Sequence, residues 1–221
     1  MPMRSTLERS LVTIQDDLLR LASMVDQAIT LSTQALMERN RDLATSVSAN
    51  DALLNRTRFA IEESCYRLLA TQQLVATSLR VIVGTVSVAT NLERIGDHAA
   101  GIARLTLRMV DSPPLRPLTV LPQMSETARI MVREAVDAFL KHDIALAEQV
   151  ISRDQTIDQL HRHAYDELIA CMMRDSTTVE RATLLLWVSH NYERIGDRAT
   201  NICERAIYVA TGELKEYRSS P

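Results

Sequence analysis

Acidic side chains recur in this chain at a spacing that bears directly on chemistry. Glu93 and Asp97 lie four residues apart, as do Glu193 and Asp197, and as do Asp154 and Asp158 on a preceding segment. On a helix, residues at i and i+4 share one face, so each pair sets two carboxylates side by side. Like charges placed this way destabilise a helix by a few tenths of a kcal/mol. A hard cation held by oxygen ligands is the simplest compensation. The first two pairs belong to the same five-residue word, Glu-Arg-Ile-Gly-Asp, at Glu93–Asp97 and again at Glu193–Asp197, 100 residues apart. A word of that length does not recur by chance in 221 residues. It reports an internal duplication, a site needed twice, or both.

The angular placement of these acids follows from helix geometry. Leu185, Val188, Tyr192, Ile195, Ala199, Ile202, Ala206 and Val209 alternate steps of three and four, a sustained apolar seam. With Tyr192 at the origin, Glu193 falls at about 100°, Asp197 at about 140° and Asn201 at about 180°, a stripe of oxygen-bearing side chains turned away from the seam. The earlier copy repeats this with Val88, Leu92, Ile95, Ala99 and Ile102 as seam and Glu93 and Asp97 as stripe, but Gly101 stands where Asn201 would. On the preceding helix of each copy, Asp154 and Asp158 are matched by Asp51 and Asn55. If each such helix lies beside its partner, two acidic pairs converge on one locus per copy. Acids on exposed helix faces are ordinarily solvated, and Arg94 or Arg194 could neutralise them, so spacing alone leaves metal binding and a solvated face both open. Gly96 and Gly196 sit at the seam's edge, where glycine is disfavoured by about 1 kcal/mol relative to alanine. That points to the close approach of a neighbouring helix.

Other reactive residue types form no constellation. His161 and His163 are two apart on a helix and point in different directions, which favours solvated or capping roles. His98 and His190 lie beside the stripes, but Arg198 and Thr90 stand at the equivalent positions, so a duplicated site should not depend on them. Trp187 reads as interhelical packing. Cys65, Cys171 and Cys203 are scattered and unpaired, which points to reduced, packed thiols in a cytoplasmic compartment. No glycine-rich phosphate loop, nucleophile elbow, zinc-protease motif or Cys–His pairing is present.

The elements that must carry the stripes are helices. Aromatic residues are 4% of the chain and there are only 5 Gly and 6 Pro, a balance that disfavours sheet. Four of the six prolines crowd into residues 112–122, which reads as a linker between two proline-free blocks. The spacing predicts helices over residues 6–37, 43–71 and 78–110, then 125–140, 145–173 and 178–210. Asp42 and Asp143 are predicted N-caps, and Thr177 with Glu180 a capping box. Val47, Asp51, Leu54 and Asn55 match Val150, Asp154, Ile157 and Asp158 at an offset of 103, so the duplication extends beyond the third helix. The expected fold is all-α, two tandem three-helix bundles (six helices) related by internal pseudo-symmetry, with repeats over residues 1–111 and 123–221. A net charge of −3 and a pI of about 6.0 do not favour nucleic-acid binding. The amino-terminal residues lack the apolar stretch of a signal peptide, and no segment approaches the ~18 apolar residues of a membrane span.

With NLERIGDHA at Asn91–Ala99, NYERIGDRATNIC at Asn191–Cys203, the Ile61–Cys65 segment and the Asp154–Asp158 pair in view, the chain resembles the PhoU family over essentially its whole length. These are bacterial accessory proteins of phosphate transport. The resemblance implies a non-enzymatic regulator that contacts the ATPase subunit of the Pst phosphate transporter and the sensor histidine kinase of the Pho system. In phosphate plenty it would hold the kinase inactive and restrain uptake. The protein would be cytoplasmic, a homodimer, and associated with membrane only through its partners. It also implies metal at Glu93, Asp97, Asp154, Asp158, Glu193 and Asp197, with Asn201 as an added oxygen ligand. Iron or zinc is expected first, with magnesium, manganese or calcium as alternatives. Asn55 and Gly101 weaken the first-copy site. The competing readings are a metal-dependent helical-bundle enzyme of di-iron carboxylate type and a purely structural helical adaptor. The first would need acids and Glu-x-x-His motifs inside a bundle, whereas these acids face away from the seam.

Overall fold

The seams and stripes lie on six long helices in a computed structural model that describes residues 2–115 and 119–213. Residues 116–118 of the expected linker and 214–221 lie outside the described residues. The helices are α1 (Pro2–Glu38), α2 (Arg41–Thr71), α3 (Ala76–Met109), α4 (Val120–Lys141), α5 (Ile144–Arg174) and α6 (Val179–Thr211), with one short 3-10 turn at Ser176–Thr178 before α6. No strand occurs among the described residues.

The same turn is built twice. Arg39 and His142, equivalent at the offset of 103, both adopt a left-handed conformation with φ of 54°. The next residue in each case returns its N–H to a carbonyl five positions back, Asn40 to Ala35 and Asp143 to Ala138, both at 2.9 Å. That residue's side chain then caps the following helix: Asn40 Oδ1 accepts from Leu43 N, and Asp143 Oδ1 from Leu146 N, each at 3.0 Å. Asn40, not Asp42, is therefore the cap of α2. The Thr177–Glu180 capping box is also replaced. Asp175 caps the 3-10 turn through Thr177 N at 2.9 Å, and α6 begins after Thr178 with no side-chain cap. Helix α4 starts five residues earlier than the proline pattern predicts. Pro122 occupies its first turn, where backbone N–H groups have no intrahelical acceptor and a missing one does no harm.

Helices α3 and α6 run antiparallel through the centre: Gly84 lies against Val209, and Gly101 against Asn191. Their predicted seams are buried, with Val88, Leu92, Ile95, Ala99 and Ile102 on α3 and Val188, Tyr192, Ile195, Ala199 and Ile202 on α6. Helix α1 adds Ile14, Leu18, Leu21, Val25 and Ile29, and α4 adds Met124, Ala128, Met131, Val132 and Phe139, all within one continuous apolar core. Two polar ties cross it. Arg129 on α4 grips Asp26 on α1 through both carboxylate oxygens, at 2.9 and 3.1 Å. The fully buried Tyr192 hydroxyl meets Thr33 Oγ1 at 2.8 Å, and Thr33 meets Ser125 at 2.7 Å, which joins α6, α1 and α4.

Candidate functional site

The acidic pairs are brought together by glycine. A Cβ on Gly196 would stand 2.9 Å from Ile157 Cγ2 and 3.0 Å from Asp154 Oδ1. Only a bare backbone lets α5 lie this close to α6, and the approach sets the Asp154 carboxylate over the turn that carries Glu193 and Asp197. Gly96 does the same for α2 and α3, where a Cβ would collide with Leu54 Cδ1. The packing role expected of both glycines is thus observed.

In the second copy, four carboxylates, Asp154, Asp158, Glu193 and Asp197, lie within electrostatic reach of one another. Asp154 is only 4% exposed, and its Oδ1 has no hydrogen-bond partner. Burial, then the charges of Asp158 and Asp197, push its pKa up to about 7. Burial and the charge of Asp197 push Glu193 up to about 7 as well, and Glu193 Oε2 is a second buried acceptor without a hydrogen bond. Asp158 is raised by burial and by Asp197, while Arg162 and His161 oppose the rise. Arg194 reaches Asp197 at 2.7 Å and Glu193 at 3.8 Å. Asn201 is half-buried one turn beyond Asp197 and makes no hydrogen bond to the acids among the described residues.

The first copy gathers Asp51, Glu93 and Asp97. Burial and Asp97 raise the pKa of Asp51, against the opposing charge of Arg104. Burial and Asp97 raise that of Glu93, against Arg58 and Arg94. Asn55 removes one acid from this cluster, and Arg58 and Arg104 stand where the second copy has His161 and Glu204. The first cluster is therefore partly neutralised by its own arginines. Gly101 is more than a lost ligand: a Cβ there would sit 3.0 Å from Asn191 Oδ1, the atom that receives the His98 Nδ1–H at 3.0 Å. Asp51 belongs to this cluster, although the stripe pattern on α3 alone does not include it. Its match to Asp154 at the offset of 103 is the signal that finds it.

Two side chains depart from expectation. Trp187 is 56% exposed and does not pack between helices; its ring stands edge-on to His190 at 5.7 Å. His161 is neither solvated nor a cap, because its Nδ1 lies 2.8 Å from the Oγ of the buried Ser189. His163 does remain at the surface, 3.7 Å from Glu167. The packed thiols are as expected: burial raises Cys65 to about 11 and Cys203 to about 12.

The buried, unpartnered oxygens of Asp154 and Glu193 suit a cation, although no three His, Cys, Asp or Glu side chains among the described residues already converge to hold one. A cavity of about 140 Å³ opens beside Asp51 between α1, α2 and α3. A larger one of about 220 Å³, mostly apolar, lies at the linker between Met109, Pro113 and Leu185, remote from the acids.

Comparison with known proteins places this arrangement. The model of the PhoU domain matches twice, over residues 18–106 and 121–206. The phosphate-specific transport system accessory protein PhoU homolog of Aquifex aeolicus is 34% identical over 204 residues, which cover 92% of each chain. The Clostridium acetobutylicum homolog of the same name is 33% identical, over 95% of this chain and 96% of its own. The crystal structure of PhoU from Pseudomonas aeruginosa superposes with a TM-score of 0.88 at 32% identity, covering 93% of this chain and 99% of that one. The phosphate transport system regulatory protein PhoU from Streptococcus pneumoniae gives the same TM-score at 30% identity, covering 96% and 100%.

Proposed function

Because the chain belongs to the PhoU family, whose members are accessory and regulatory proteins of phosphate transport and not enzymes, we propose that it couples the state of a phosphate transporter to phosphate-starvation signalling through protein contacts. The observation that carries this reading is the match of both repeats, over nearly the whole chain, to proteins named for that accessory role. The partners are the ATPase subunit of the Pst transporter and the sensor histidine kinase of the Pho system. Both act from the cytoplasmic side, where the protein would work as a homodimer. No helix among the described residues is long and apolar enough to cross a membrane.

The acidic clusters give this regulator its metal-binding surfaces, the second copy more than the first. Asp154, Asp158, Glu193 and Asp197 would hold the ion, with Asn201 at the margin. A bound divalent cation supplies the positive charge that these four carboxylates lack. Asp154 and Asp158 come from α5 and Glu193 and Asp197 from α6, so ligation by both pairs fastens one helix to the other and fixes the outer surface of the second repeat. In the first copy Arg58 and Arg104 already provide part of that charge. A di-iron enzyme has no support here: the acids of α6 lie outside its seam, and no Glu-x-x-His motif accompanies them.

Co-purification tests the contacts. Tagged full-length protein, expressed at native level, should recover the transporter ATPase and the sensor kinase from detergent-solubilised membranes. Recovery of neither above an untagged control would defeat the proposal. Sedimentation analysis of the purified protein checks the dimer.

A further inference from the structure

We infer that the second-repeat cluster is a mixed nitrogen–oxygen metal site, in which His161 and His190 supply imidazole nitrogens beside the carboxylates, so that it selects a borderline first-row transition ion such as zinc over magnesium or calcium. This rests on the metal-binding reading above and adds the ligands that set its selectivity.

A single hydroxyl orients His161. Ser189 Oγ donates its hydrogen to Leu186 O at 3.1 Å. With that hydrogen on Leu186 O, the 2.8 Å contact with His161 Nδ1 runs the other way, Nδ1–H donating to Ser189 Oγ. In that tautomer the Nε2 lone pair of His161 is free. Metal-binding histidines are typically held in this manner, one ring nitrogen tied by a hydrogen bond and the other presenting its lone pair. Ser189 is fully buried, and alanine stands at the equivalent position of the first copy, Ala89.

The two imidazoles are neighbours of each other and of the acids. Their ring centroids are 6.2 Å apart. His190 Nδ1 lies 3.2 Å from Glu193 Oε2, the oxygen left without a hydrogen bond. His161 is within electrostatic reach of Asp158. Both pairs are three residues apart, Asp158 with His161 on α5 and His190 with Glu193 on α6, so each pair shares a helix face. Asp154, 4% exposed with an unpartnered oxygen, acts on Glu193 from the neighbouring helix.

The first copy shows what the histidines add. Arg58 replaces His161 and is paired with Glu62 at 2.8 Å, and Thr90 replaces His190. Neither replacement offers an imidazole nitrogen. Imidazole favours zinc, copper, iron and nickel, whereas an all-oxygen set suits magnesium, calcium and manganese. The two copies thus differ in which ions they can select.

The test titrates chelator-stripped full-length protein with Zn²⁺ and Mg²⁺ in competition with a chromophoric chelator. Zinc should bind in clear preference to magnesium. The His161→Gln, His190→Gln variant should lose zinc affinity by about 100-fold with its weak magnesium binding unchanged, and Ser189→Ala should lose about tenfold. Cu²⁺ bound to the wild type should show nitrogen superhyperfine coupling in its EPR spectrum, a readout that needs no variant to fold. Zinc affinity unchanged in the double histidine variant, or Cu²⁺ bound without nitrogen coupling, overturns the inference and leaves a carboxylate site standing. If neither zinc nor magnesium binds the wild type, the metal-binding reading itself fails.

Discussion

Replacing Asp154 by asparagine should stabilise the metal-free protein at neutral and alkaline pH. The Asp154 carboxyl sits between two helices with Asp158 and Asp197 as nearest charges, and its pKa is pushed from 3.8 up to about 7. In the unfolded chain it ionises near its ordinary value. Between these two values the native state therefore holds a proton that the unfolded state has lost, so stability falls as pH rises and levels off above about 7. The span of that displacement sets a ceiling of about 4 kcal/mol on the destabilisation at high pH. Relaxation of neighbouring carboxylates and admitted water reduce it, and we expect about 2 kcal/mol at pH 8. Asparagine keeps the shape, carries no charge, and can donate its amide hydrogens to Asp158 and Asp197. For a chain of this size about 2 kcal/mol raises the melting temperature by roughly 4–8 °C. The assay is urea and thermal unfolding of chelator-treated wild type and Asp154→Asn from pH 5 to pH 8.5 (a range of about three to four units around the shifted value). The variant's advantage should be small at the acid end and grow toward pH 8. An Asp154→Asn protein less stable than wild type at pH 8, or a difference that does not change with pH, would refute the reasoning.

Metal content should follow the same residues. Protein purified without chelators should carry divalent metal that is mostly absent from an Asp154→Ala, Asp197→Ala variant by elemental analysis; equal content in both would remove the site from these positions. The two mid-helix glycines should respond unequally to alanine. Alanine gains about 1 kcal/mol of helix preference, but at Gly196 it strikes Ile157 Cγ2, which is fixed at the branch of a β-branched side chain. Overpacking of about 1–3 kcal/mol should make Gly196→Ala net destabilising in denaturant titrations. At Gly96 the obstacle is the end of Leu54, which can rotate away, so Gly96→Ala should be the milder change, and the reverse order would contradict the packing described.

The fold was legible because its signals repeat. The seam on α6 from Val188 to Val209 and its copy on α3 are buried where the period of three and four places them. The offset of 103 that pairs Asp51 with Asp154 also pairs the left-handed Arg39 with His142. What the sequence concealed depends on single contacts. The choice of Asn40 over Asp42 as cap depends on which residue turns left-handed, and Pro122 could enter α4 because the first turn of a helix needs no donor. The acidic pairs were visible from spacing, but their burial was not, since that comes from how closely Gly196 lets α5 approach. Duplication, used as the guide to function, sets the histidines aside. His161 and His190 have no counterparts in the first copy, and only the bond to Ser189 shows how one of them is held.

The most direct test of the regulatory account is the transcript level of phosphate-repressed genes in high phosphate after the gene is deleted. The account predicts that these genes become active in high phosphate, that uptake is no longer restrained, and that the intact gene restores both. Phosphate-repressed genes that stay silent in the deletion strain, with uptake unchanged, would contradict it.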